Sequence, residues 1–159
     1  MIYSMERSRV GVQRGSALLL LILCSLTLYA QPLRFRINFV YDTNQVSAML
    51  ILKMDGERLK GSVVNEFGVN FMDFSIKKGK AKIERINPML KRAFLQKVLK
   101  RDFTLIADCL NRDSDEVIWS KKRGIYRASC TKYMNEEAKL LSLHIEHKNL
   151  PLSITLYPF

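Results

Sequence analysis

Three features of the sequence predict an α+β, mainly β domain in which a curved antiparallel sheet carries one or two amphipathic helices on its concave face. Between Leu33 and Ile86, apolar residues fall on alternate positions in five short segments separated by polar or glycine-containing turns. From Pro88 the apolar period lengthens to that of a helix, and after Asn111 short alternating segments resume. About nine strands are many for a chain of this size, and such a sheet buries its apolar face by closing into a barrel or by curling around something. The amphipathic segment supplies that something.

In the first segment Leu33, Phe35, Ile37 and Phe39 alternate with Arg34, Arg36 and Asn38, as in a strand with one dry and one wet face. Asp42-Thr43-Asn44-Gln45 turns the chain into a second strand on Val46, Ala48, Leu50 and Leu52, and Asp55-Gly56 marks a tight hairpin into Arg58 to Val64. Asn65-Glu66-Phe67-Gly68 leads to a fourth strand, Val69 to Ile76, and Lys77-Lys78-Gly79-Lys80 to a fifth, Ala81 to Ile86. Asn87-Pro88 then predicts a helix start, because asparagine caps and proline is best tolerated in the first turn.

Leu90, Phe94 and Val98 recur every fourth residue with Leu95 and Leu99 beside them, opposite Lys91, Arg92, Gln96, Lys97, Lys100 and Arg101. Asp102 can cap a second short helix on Phe103, Ile106 and Leu110, although Phe103 to Ala107 also reads as a buried strand. Val117 to Ser120, the basic turn Lys121-Lys122-Arg123-Gly124 and Ile125 to Tyr133 form a hairpin. Alternation on Leu141, Leu143 and Ile145, then on Leu152, Ile154 and Leu156, supplies the closing pair.

The first 30 residues stand apart. Arg7, Arg9 and Arg14 precede an uncharged stretch from Gly15 to Ala30, the order of a secretory signal with cleavage expected after Ala30. That stretch is shorter than the roughly 20 residues of a membrane span, so the expected location is the periplasm. The alternatives are an uncleaved signal anchor or acylation at Cys24, before which Leu21-Ile22-Leu23 puts a bulky leucine where a lipoprotein peptidase usually meets a small residue. The remaining 129 residues, 31 to 159, suit one domain.

The whole chain carries a net charge of +11, and without the three arginines and one glutamate of the leader it carries +9. In an exported protein such a surface is suited to an anionic membrane surface or an acidic envelope protein, and export argues against nucleic acid. Cys109 and Cys130 remain beyond the leader, as either a disulfide pair or two buried thiols.

The sequence carries no glycine-rich phosphate loop, no nucleophile elbow and no C-x-x-C, so neither an enzyme nor a cofactor is expected. His144 and His147 have H-x-x-H spacing, but on a strand these positions point to opposite faces, and no metal site is expected.

The hairpin strand running into Asn65-Glu66-Phe67-Gly68, the Phe71-Met72-Asp73-Phe74 that follows, Pro88 opening a helix that reaches Leu99 and Asp102, and the final strand pair through Ile145 and Ile154 together resemble the LolA/LolB-like proteins. These are the periplasmic carrier and the outer-membrane receptor of lipoproteins. The resemblance covers most of residues 31 to 159 and implies an unclosed half β-barrel with a helical lid over a cavity that accepts acyl chains. On that reading Leu50, Leu52, Phe71, Phe74, Leu90, Phe94 and Val98 line the cavity of a monomer that binds or transfers a lipid or a lipoprotein acyl chain. The alternative reading has helix and sheet fill each other completely, leaving a ligand-free domain that binds a protein partner at the envelope.

Overall fold

The computed structural model describes residues 31–112, 118–119 and 126–159. The leader with Cys24 and the basic turn at 121–124 lie outside the described residues. The described part is mainly β, one antiparallel, unclosed sheet with a single helix packed on its concave face.

Five strands form an unbroken meander: β1 (Leu33–Tyr41), β2 (Asn44–Asp55), β3 (Arg58–Val64), β4 (Asn70–Lys77) and β5 (Lys80–Ile86). Their turns are the ones the residues specify. Gly56, Gly68 and Gly79 adopt positive φ, as do Asp42 and Lys78, so the two-residue β4–β5 loop has the left-handed backbone whose twist suits a hairpin. Asn65 closes the β3–β4 loop by accepting hydrogen bonds through Oδ1 from the backbone N–H groups of Phe67 (3.0 Å) and Val69 (2.8 Å).

A 3-10 turn, Pro88–Leu90, follows, and then the helix α1 (Ala93–Leu110). The remaining strands are β6 (Ile118–Trp119), β7 (Ala128–Met134), β8 (Leu140–His147) and β9 (Leu152–Pro158). The sheet order is β5-β4-β3-β2-β1-β9-β8-β7-β6, so the C-terminal strand pairs with the first and joins the two meanders. Helix α1 packs against β5 on one side and against β7 and β8 on the other, and thereby spans the open mouth of the half-barrel.

Two sequence expectations about the helix are corrected. It starts at Ala93 rather than at Pro88, because the Asn87 and Pro88 carbonyls accept from Leu90 and Lys91 and form the tighter turn instead. Leu90 therefore lies outside α1. Asp102 does not cap a second helix: α1 is continuous for 18 residues, with neither glycine nor proline in it, and Asp102 sits in its middle, fully buried.

Alternation places one face of every long strand in the core. Phe35, Ile37, Leu50, Leu52, Val63, Met72, Phe74, Leu143, Ile145, Ile154 and Leu156 are each at most 3 % exposed, and they meet Val98, Leu99, Phe103, Ile106 and Cys109 from α1. A single glycine makes the centre of this contact possible. Gly61 pairs across the sheet with Phe74, and a Cβ built on Gly61 would lie 2.1 Å from the Phe74 ring tip. The bare backbone of β3 lets Phe74 lie flat over it, and Phe103 stacks on the other side of that ring with centroids 4.0 Å apart.

Candidate functional site

Three regions hold the residues that could act: the concave face, a buried polar cluster beneath α1, and one end of the sheet where large apolar side chains stand in water.

On the concave face the structure brings together four of the seven residues expected to line a cavity. Leu50, Leu52, Phe74 and Val98 are at most 4 % exposed, packed in one cluster with the inner side of α1. The other three fall elsewhere. Phe71 is the extra residue of a β-bulge, between Val63 paired with Met72 and Val64 paired with Asn70, and is half-buried at the margin of the core. Leu90 sits on the 3-10 turn, and Phe94 is 58 % exposed. The inward stripe begins only at Val98 and runs through Asp102, Phe103, Ile106 and Cys109, and Phe94, one turn earlier at the start of the helix, is left in water.

The polar cluster went unforeseen because its members are distant in sequence. Asp102, with no exposed surface, accepts a hydrogen bond from the Tyr126 hydroxyl at 2.5 Å, and His147 Nε2 lies 3.0 Å from the same carboxylate oxygen. Tyr126 and His147 meet edge to face, and the Arg101 guanidinium lies 4.9 Å from the centroid of the Tyr126 ring. Burial pushes the Asp102 carboxyl above its ordinary range, against the opposing effects of His147 and Tyr126. Burial and the adjacent carboxylate likewise push the Tyr126 hydroxyl far up, which keeps it a donor. His147 borders a depression of about 340 Å³ between Asp42, Glu146 and Ser153. Its side chain is only 1 % exposed, however, and its ring is directed at Asp102. The arrangement clamps three elements together: helix α1, the lead-in to β7, and the end of β8. His144, three residues earlier, faces the opposite side of β8 and pairs with Thr155 Oγ1 at 3.0 Å.

Two further inward-facing groups lie near the C-terminal end of α1. Cys109 on the helix and Cys130 on β7 are buried thiols within hydrogen-bonding reach of each other. Lys132, on the same face of β7, donates through Nζ to the carbonyl of Arg112, just past the helix end where a cation complements the helix dipole.

The third region is the end of the sheet that carries the β1–β2, β3–β4 and β8–β9 turns, where Asp42 N–H bonds the Pro151 carbonyl at 2.8 Å. Phe67 on the β3–β4 loop is 82 % exposed and Val69 is 49 % exposed. The chain leaves β5 at this same end, held to β4 by Asn87 N–H on the Phe71 carbonyl at 2.8 Å, and continues into α1 with Phe94. Lys91, Arg92 and Lys97 are exposed around Phe94. An exposed aromatic side chain flanked by cations, as Phe94 is, forms the kind of surface that marks an interaction site. No helix among the described residues is long and apolar enough to cross a membrane.

No protein-family model matches this chain, and no curated protein matches it either.

Proposed function

We propose that this chain is a non-enzymatic cell-envelope protein that works at an anionic lipid surface, seating the Phe67, Val69 and Phe94 side chains among acyl chains while neighbouring cations meet the head groups. The observation that carries this reading is the exposure of Phe67 and Phe94 at one end of the sheet, beside Lys91, Arg92 and Lys97. Two effects favour such a contact: each apolar CH₂ withdrawn from water contributes roughly 0.8 kcal/mol, and each cation near an anionic surface contributes about 1 kcal/mol.

The concave face enters this function differently from a preformed lipid pocket. Phe74 and Phe103 already stack across it at 4.0 Å, so an acyl chain enters only where α1 gives way. Surface contact is therefore the first event, and acyl-chain capture would be coupled to displacement of the helix.

The test is co-sedimentation of residues 31 to 159 with vesicles, comparing mixed phosphatidylglycerol and phosphatidylethanolamine with phosphatidylcholine alone. Salt-sensitive binding to the anionic vesicles is expected, with most of it lost in Phe67→Ser/Phe94→Ser. Equal binding by the double variant, or none by the parent, would refute the reading.

A second reading, assembly with an acidic protein partner, is favoured by strand β5. It ends the sheet and carries exposed Lys80, Lys82 and Arg85. Recovery of a partner by crosslinking from Lys80 or Lys82, together with absence of vesicle binding, would shift the function to that edge.

A further inference from the structure

Cys109 stands in the last turn of α1, which among the described residues bridges the mouth of the half-barrel, and Cys130 stands on β7, against which that helix packs. The two side chains are 1 % and 0 % exposed and face each other. We infer that Cys109 and Cys130 form a reversible intramolecular disulfide that locks the C-terminal end of the helix to the sheet, and that the dithiol is the unlocked form of the same fold.

The local chemistry gives the two sulfurs different roles. The Cys130 thiol donates toward Cys109 and, helped by Lys132 and Arg112, holds the Cys109 thiol below its ordinary range. The same contact, with burial, pushes Cys130 far up. Cys109 stands in the last helical turn, where local opening first gives an oxidant access, and with its lowered thiol it is the attacking group. When the last helical turn opens, its thiolate attacks one sulfur of a low-molecular-weight disulfide such as oxidised glutathione; a mixed disulfide forms and one glutathione thiolate leaves. That thiolate takes up a proton as Cys130 loses its own. The Cys130 thiolate then attacks the Cys109 sulfur and expels the second glutathione, which is protonated in turn by the proton Cys109 released. Two electrons and two protons pass from the cysteine pair to the oxidant, leaving one disulfide in the protein and two reduced glutathione molecules.

Burial makes this exchange slow in the closed fold and makes the product resistant once formed, as suits a lock. The bond closes a loop of about 20 residues between α1 and β7, and the unfolded chain loses the corresponding freedom. The inference is independent of the lipid-surface reading, since it concerns only how firmly the helix is held.

The experiment equilibrates the full chain, carrying Cys24→Ser to simplify counting, in a series of glutathione redox buffers with low urea to permit local opening. Acid quenching, alkylation under denaturing conditions and non-reducing peptide mapping then read the state of each cysteine. The expected result is a Cys109–Cys130 linked peptide in the oxidising buffers and a Tm that falls by about 10 °C on reduction. Cys109→Ser and Cys130→Ser should each be insensitive to reductant. Separate alkylation of both cysteines in the most oxidising buffer, linkage between molecules, or a wild-type Tm unmoved by reductant would overturn the inference. Because the reductant response is read in the unmutated pair, it remains decisive even if a serine variant fails to fold.

Discussion

The inner and outer surfaces of this small half-barrel use the same residue types to opposite ends. Phe103 and Phe94 lie on one helix, yet the first is 1 % exposed and stacked on Phe74 while the second is 58 % exposed. Asp102 and Asp73 are both multiply contacted aspartates, yet their carboxyls are pushed in opposite directions. Inside, burial dominates at Asp102 and raises it. Outside, some burial also acts on Asp73, but it is outweighed by donors from Asn70 and Ser62 at 2.7 Å each and by the Arg85 guanidinium, and the carboxyl is lowered. A side chain's role here is set by which face of a strand or helix carries it, since the same chemical group meets a dry, crowded space on one side and water with mobile partners on the other.

The contrast breaks most severely at the aromatic stack. Phe103→Ala should cost about 4 kcal/mol, because it leaves a cavity between Phe74 and the helix that a rigid sheet cannot close. Gly61→Val should cost about 3 kcal/mol for the converse reason, a branched side chain placed where the Phe74 ring already lies. Urea denaturation of both variants checks these values, and their order tests whether the stack tolerates a gap worse than a clash.

Asp102→Ala should cost about 3 kcal/mol by leaving the buried Tyr126 hydroxyl without its acceptor and the buried His147 ring without the carboxyl beside it. Asp102→Asn should cost less and should change the response to pH. The folded-state value of Asp102 is raised, so the stability gained from its neutral form is complete below the ordinary aspartate range and is lost as pH rises through the raised value. Denaturation midpoints of wild type minus Asp102→Asn should therefore decline with rising pH across that window.

Asp73 should show the opposite slope. Its lowered value makes its contribution complete above the ordinary aspartate range and lost as pH falls through the folded value. Asp73→Asn should cost about 1 kcal/mol at neutral pH, with the difference from wild type shrinking in acid. The smallest effect on stability belongs to Phe94→Ser, expected within about 0.5 kcal/mol of wild type because the side chain is already in water. If vesicle binding falls while stability holds, Phe94 is an outward contact and not a misplaced core residue.

The strands were legible because their information is local. Alternation with glycine-bearing turns located the first five and the last two to within a few residues, and Asp55-Gly56 and Lys78-Gly79 supplied the backbone that tight hairpins need. The existence of the helix was also local, but which of its turns are covered was not. Phe94, Val98 and Asp102 lie four residues apart on one side of the helix, yet the sheet covers that side only from Val98 onward. Only the approach of Tyr126 and His147, 24 and 45 positions further along the chain, gives the buried Asp102 its partners.

The sequence by itself therefore determined a mainly antiparallel β chain with a basic, amphipathic helical insert, since period, turn residues and charge are properties of neighbours. Tertiary structure alone decided that the helix fills the concave face through Gly61, Phe74 and Phe103. It also decided that Asp102 is clamped rather than capping, and that Cys109 meets Cys130. Each of these rests on close approach between segments far apart in the chain, and packing at that range depends on which side chains exclude one another, a quantity no local pattern encodes.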